Sequence, residues 1–147
     1  MLTNLYETDF YAWTLEQSQL LQQGKWQALD IENLVEEIES LGKQQRQELR
    51  NFLGVVIGHL LKWDYQSEHR SKSWKATIRE QRKEVLRLLK DNPSLQPYLQ
   101  EAIADAHEAG LAIVVRETPL DYKDLPSECP YSVEQILDLS FPVGLLD

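Results

Sequence analysis

Residues 29–65 read LDIENLVEEIESLGKQQRQELRNFLGVVIGHLLKWDY, and whether this stretch is one helix or two decides the fold. Asp30 suits an N-cap, and the acidic residues just after it oppose the positive end of a helix dipole. Ile31, Leu34, Val35, Ile38 and Leu41 recur at helical spacing and form an apolar stripe. Gly42 either ends or bends the helix, yet Leu49, Phe52, Leu53, Val56, Ile57, Leu60 and Leu61 resume the same period. The pattern predicts a long or broken helix over residues 31–65.

The flanks carry the same signal. Upstream, Thr8 or Asp9 caps a helix that Gly24 stops. Phe10, Trp13, Gln17, Leu20 and Leu21 share its inner face. Downstream, a third helix is expected over 69–91, with Trp74, Ile78, Val85, Leu88 and Leu89 inward and Asn92-Pro93 as its terminator. Ser94 is expected to cap a fourth helix, with Pro97 tolerated in the first turn. Leu95, Leu99, Ile103, Ala106, Ile113 and Val114 would be its buried side. Residues 118–131 are proline-rich and loop-like, and Ser132 begins a short helix in SVEQILDL. Short connections between four main helices imply an all-α, antiparallel bundle with a short C-terminal helix. Residues 1–147 read as a single helical domain whose last part, 118–147, is the proline-rich loop and short helix.

Composition narrows the classes. The longest apolar block, residues 52–61, is too short for a membrane span, and the N-terminus lacks a signal-peptide pattern. Cys129 is the single cysteine, which rules out an intramolecular disulfide. A cytoplasmic location is the expectation. Net charge is −9 but unevenly spread. Residues 1–61 carry −5, residues 62–90 carry +5, and residues 91–147 carry −9.

Three blocks, LDIENLVEEIESLG, HLLKWDYQSEHRSKSWKATIREQR and LPSECPYSVEQIL, occur in this order along the chain. Together they resemble a bacterial family, plentiful in cyanobacteria, known as domain of unknown function 29. The resemblance runs from DFYAWTLEQ to the proline-rich end and implies an all-helical single domain. It implies no catalytic residue and no established activity.

The remaining candidates come from the residues themselves. Glu32, Glu36 and Glu39 share one helix side, away from the apolar stripe. A di-iron bundle needs Glu-x-x-His pairs, and none occurs, so a solvated carboxylate row is the simpler reading. His59, His69 and His107 fall on or beside three different helices without the spacing that fixes two metal ligands on one face. Cys129 beside Glu128 lacks the electropositive setting of a reactive thiolate. No catalytic motif emerges, and no cofactor is called for.

The basic strip KWDYQSEHRSKSWKATIREQRK, residues 62–83, is what stands out. With Trp74 at the centre of the buried face, Lys72, Lys75, Arg79 and Lys83 project outward. Arg70 and Arg82 project toward the margin of that face. There they are expected to join an internal polar network with Glu37, Trp63 and Trp74 through carboxylate pairing and cation–π stacking. The leading expectation is therefore a non-enzymatic interaction module whose four outward cations meet an acidic surface, within the chain itself, on another protein or in a homo-oligomer. Nucleic-acid or phosphate binding through the same cations comes second, because a polyanion is weakly attracted to a chain of net charge −9. A metal-dependent enzyme comes third.

Overall fold

The computed structural model describes residues 4–147, which are mostly helical with no strand among them. Six helices follow in order: α1 (Leu5–Thr8), α2 (Phe10–Gln22), α3 (Ile31–Tyr65), α4 (Lys72–Asp91), α5 (Leu99–Glu117) and α6 (Val133–Leu137). Four of them, α2 to α5, are the main ones, as the periodicity predicts. None is long and apolar enough to cross a membrane. The chain divides into two compact units, Met1–Lys43 and Gln44–Asp147.

In the N-terminal unit, α1 turns once and meets α2 at Asp9, whose carboxylate accepts from the Ala12 N–H at 3.1 Å. After α2 the chain turns at Gly24, whose φ of 69° lies in the left-handed region that glycine tolerates. Asp30 then caps α3, accepting from the Asn33 N–H at 3.4 Å and from its side-chain amide at 2.8 Å. The Trp13 indole donates to the same carboxylate at 3.0 Å, and the Gln17 side chain accepts from the Asp30 N–H at 2.8 Å. Hydrogen bonds from Asn33, and next from Trp13, hold the Asp30 carboxyl below its ordinary range. Tyr6 packs edge-on against Trp13, with ring centroids 4.9 Å apart, and donates to Glu37 at 2.5 Å. That bond to a carboxylate pushes the Tyr6 phenol up to about 12.

Here the structure corrects the sequence reading twice. Of the inner face assigned to α2, Trp13 and Gln17 are buried, whereas Phe10 and Leu21 stay largely exposed. Likewise Ile31, Val35, Ile38 and Leu41 are exposed, Ile38 at 66%. The half-buried residues at the start of α3 are instead Asn33, Leu34 and Glu37, the last bonded to Tyr6 of α1, and the stripe predicted to be core is left open.

α3 continues through Gly42 without a break for 35 residues. Gly42 is exposed, with nothing within 4 Å of the position a Cβ would take. A helical glycine without packing partners costs about 1 kcal/mol relative to alanine, too little to stop a helix supported on both sides. The core of the second unit begins at Leu49 and includes Leu53, Ile57 and Trp63 of α3 with Ile78 and Val85 of α4, all at most 2% exposed. α5 crosses α3 at small residues. A Cβ on Gly110 would sit 2.9 Å from Ile57 Cγ2 and 3.1 Å from the Gly58 nitrogen. A Cβ on Gly54 would meet Ala109 Cβ at 3.1 Å. Gly54 and Gly58 on α3 and Gly110 on α5 thus mark a close helix crossing.

The α4–α5 junction also differs from expectation. α4 starts at Lys72 rather than near residue 69, because Ser71 is its cap, accepting from the Trp74 N–H at 3.2 Å. Ser94 caps nothing. The chain enters a 3-10 stretch, Pro93–Tyr98, whose first turn is closed by Leu95 N–H donating to the Asn92 carbonyl at 2.9 Å. Pro97, with no N–H to give, lies in that stretch, and α5 begins only at Leu99. The proline-rich segment contains a 3-10 turn at Tyr122–Asp124, and Ser132 caps α6 in a reciprocal box with Gln135.

Candidate functional site

The outward cations of α4 do not stand on a bare helix. The segment after α6 lies beside them and, with α4, forms a groove of about 870 Å³. Lys72, Lys75, Arg79 and Lys83 line it together with Ala76, Leu139, Leu145 and Leu146. Leu145 is buried, while Leu139 is 49% and Leu146 75% exposed. Glu80 and Asp138 are the two carboxylates at its wall. Lys75 Nζ donates to the Asp147 backbone carbonyl at 2.7 Å. Lys72, Arg79 and Lys83 are exposed and make no salt bridge among the described residues.

Arg82 holds this wall in place. It is 1% exposed, and its guanidinium donates to the Ile136 carbonyl at 2.7 Å, to the Gln135 carbonyl at 2.9 Å and to the Phe141 carbonyl. Gln135 and Ile136 lie in the last turn of α6, where unpaired carbonyls collect and a cation is favoured. Burial lowers the Arg82 pKa to about 10, with Asp138 opposing the shift. The group therefore stays charged at neutral pH. The expected carboxylate pairing of Arg82 is replaced by three main-chain acceptors, which no pattern in the sequence announces.

The other members proposed for the polar network separate. Arg70 lies 4.5 Å over the Trp63 ring and donates to the Trp63 carbonyl at 2.9 Å, though much of it remains exposed. Trp74 is half-buried and faces the Lys62 ammonium, 5.5 Å from its ring centroid. Glu37 belongs to the N-terminal unit, where its partner is Tyr6. Lys62 is the member that sequence reasoning missed. It is 3% exposed and ion-paired to Glu117, whose carboxyl is held low by the hydrogen bond from that lysine. Its position between the buried Leu61 and Trp63 was the available signal.

The histidines are apart in role. His59 Nδ1 is 2.9 Å from the Val55 carbonyl, and burial lowers its pKa. His69 is exposed in the 3-10 turn Ser67–His69. His107 is buried, with Nε2 donating to the Pro126 carbonyl at 2.9 Å, a bond that leaves Nδ1 as a buried acceptor without a partner. It borders a second cavity of about 550 Å³ that Cys129, Glu101 and Glu108 also line. Burial pushes the Cys129 thiol up, the reverse of what an activated nucleophile needs. No group of three or more His, Cys, Asp or Glu side chains is placed to hold a metal ion among the described residues.

Comparison with known proteins gives a family. No curated protein and no solved structure matches the chain. The family model described as Domain of unknown function DUF29 matches residues 5–142 of the 147, which spans all six helices, and the chain belongs to that family.

Proposed function

We propose that the protein is a non-enzymatic helical interaction module whose groove on α4 takes an acidic, amphipathic helix. The observation that carries this reading is the alignment of four cations beside an apolar floor of Ala76, Leu139, Leu145 and Leu146. Exposed leucines gain from contact with apolar side chains at roughly 25 cal/mol per Å² removed from water. Unpaired lysines and arginines flanking them select carboxylates and raise the association rate. A phosphate backbone would use the cations alone and leave the apolar floor uncovered.

A fluorescent synthetic helix with leucines at heptad spacing and glutamates between them tests the reading. Its binding should weaken at least tenfold in R79E/K83E and should fall with added salt. Equal binding to the variant overturns the proposal. So does duplex DNA binding more tightly than the peptide and losing that binding in the same variant.

A further inference from the structure

We infer that the groove's occupant is the N-terminal hairpin of a second copy of this chain, α2 and the part of α3 up to Lys43; the inference rests on the reading of the groove given above. Three observations point there. First, the hairpin has the wrong surface for a free unit. Ile31, Val35 and Ile38 recur at steps of four and three on one face of α3, at 58%, 48% and 66% exposure. Phe10 and Leu21 of α2 are open too. Trp13 is the buried apolar residue of α2, far less than a helical pair needs to hold itself against solvent.

Second, the charges match a groove and oppose self-pairing. Residues 1–43 hold 2 basic and 8 acidic groups, a net of −6. Two hairpins packed face to face would bring like charges together and leave the α4 cations without partners. Glu32 and Glu39 lie within about 90° of the open stripe on the helical wheel, both exposed and without a salt bridge among the described residues.

Third, the spacing agrees. The stripe from Ile31 to Leu41 extends about 15 Å and the cation row from Lys72 to Lys83 about 17 Å, at 1.5 Å per residue. Glu32, Glu36 and Glu39 advance by four and then three residues. Arg79, Lys75 and Lys72, taken in reverse, do the same. An antiparallel approach therefore sets Glu32 near Arg79 and Glu39 near Lys72, with Ile31, Val35 and Ile38 directed to the leucines of the floor. Each copy offers one hairpin and one groove, so association is between unlike surfaces.

Light scattering on the full chain with charge-reversed variants tests this. The wild type should exceed its 17.1 kDa monomer mass at high micromolar concentration. E32K/E39K alone and R79E/K83E alone should each be monomers, because each juxtaposes like charges. An equimolar mixture of the two should associate again as one-to-one pairs, since the unaltered acidic hairpin of R79E/K83E then meets the unaltered basic groove of E32K/E39K. All four positions are exposed, and unchanged helical circular dichroism in each variant shows that folding is intact. A wild type that stays monomeric while the synthetic acidic helix binds the groove overturns this inference and leaves the module reading standing. Association that survives in R79E/K83E also overturns it, because the hairpin must then pair elsewhere. Failure of the mixture to re-associate does the same.

Discussion

Arg82 Nε donates to the carbonyl oxygen of Ile136 at 2.7 Å, joining residues 54 apart in sequence and seating α6 against α4. Two further carbonyls, of Gln135 and Phe141, share the same guanidinium. Replacing Arg82 with leucine strands buried acceptors that water cannot easily reach. Hydrogen bonds to charged groups contribute about 1.5–3 kcal/mol each, so the loss should be at least about 3 kcal/mol. Lysine restores the charge without the planar fork and should recover only part of it. Urea denaturation gives the loss. Hydrogen exchange should show the amides of 133–145 losing protection before those of α3.

The α3–α5 crossing makes an opposite pair of predictions for one substitution. Gly110→Ala drives a methyl group to 2.9 Å from Ile57 Cγ2 and against the backbone of Gly58. Overpacking of this kind costs about 1–3 kcal/mol. Gly42→Ala meets nothing within 4 Å on an exposed helical turn and should add about 0.5–1 kcal/mol. Thermal melts of both variants should therefore move in opposite directions from wild type.

Lys62 and Glu117 form a pair that is unequal in exposure, 3% and 50%. Glu117→Gln leaves the lysine buried beside Trp74 with its charge uncompensated, and should cost about 1–2 kcal/mol after allowing for the solvent that screens an exposed carboxylate. Lys62→Met removes the buried charge and keeps the length, and should be close to neutral. If Lys62→Met proves the more damaging by equilibrium unfolding, the ammonium holds the fold through Trp74 more than through Glu117.

Stability should fall on acidification below neutral pH. Burial holds the His59 pKa below the ordinary histidine value of 6.5, so the unfolded chain takes up the proton first. Its contribution is complete above pH 6.5 and is lost as pH falls from there through the lower folded pKa. The carboxyl of Glu117, depressed below 4.5 by Lys62, adds a second loss that begins lower, as pH drops through that value. His59→Gln should flatten the upper part of the profile and leave the lower part in place, as read from melting temperature between neutral pH and about pH 4.

Periodicity was enough to place the main helices, because apolar residues at 3.6-residue spacing form a continuous stripe only on a helix and caps close its ends. Asp9, Asp30 and Ser132 perform the capping that their residue types suggest. Boundaries failed where two signals competed. Ser94 looks like a cap, but Pro93 and Pro97 favour a tight 3-10 path, and α5 waits until Leu99. The outward direction of Lys72, Arg79 and Lys83 was readable from helical phase alone.

By itself, the sequence determined that this chain is helical, several of its helix caps, and which side of α4 carries unopposed charge. Those properties depend on residues within a few turns of one another. Tertiary structure decided what each stripe meets. It set Leu139 and Leu146 beside the cations to make a groove, gave Arg82 carbonyls in place of carboxylates, and left Ile31, Val35 and Ile38 open to solvent. Periodicity identifies a face that needs covering, but the covering atoms come from residues distant in sequence or, for the hairpin, from a second copy of the chain under the inference drawn above.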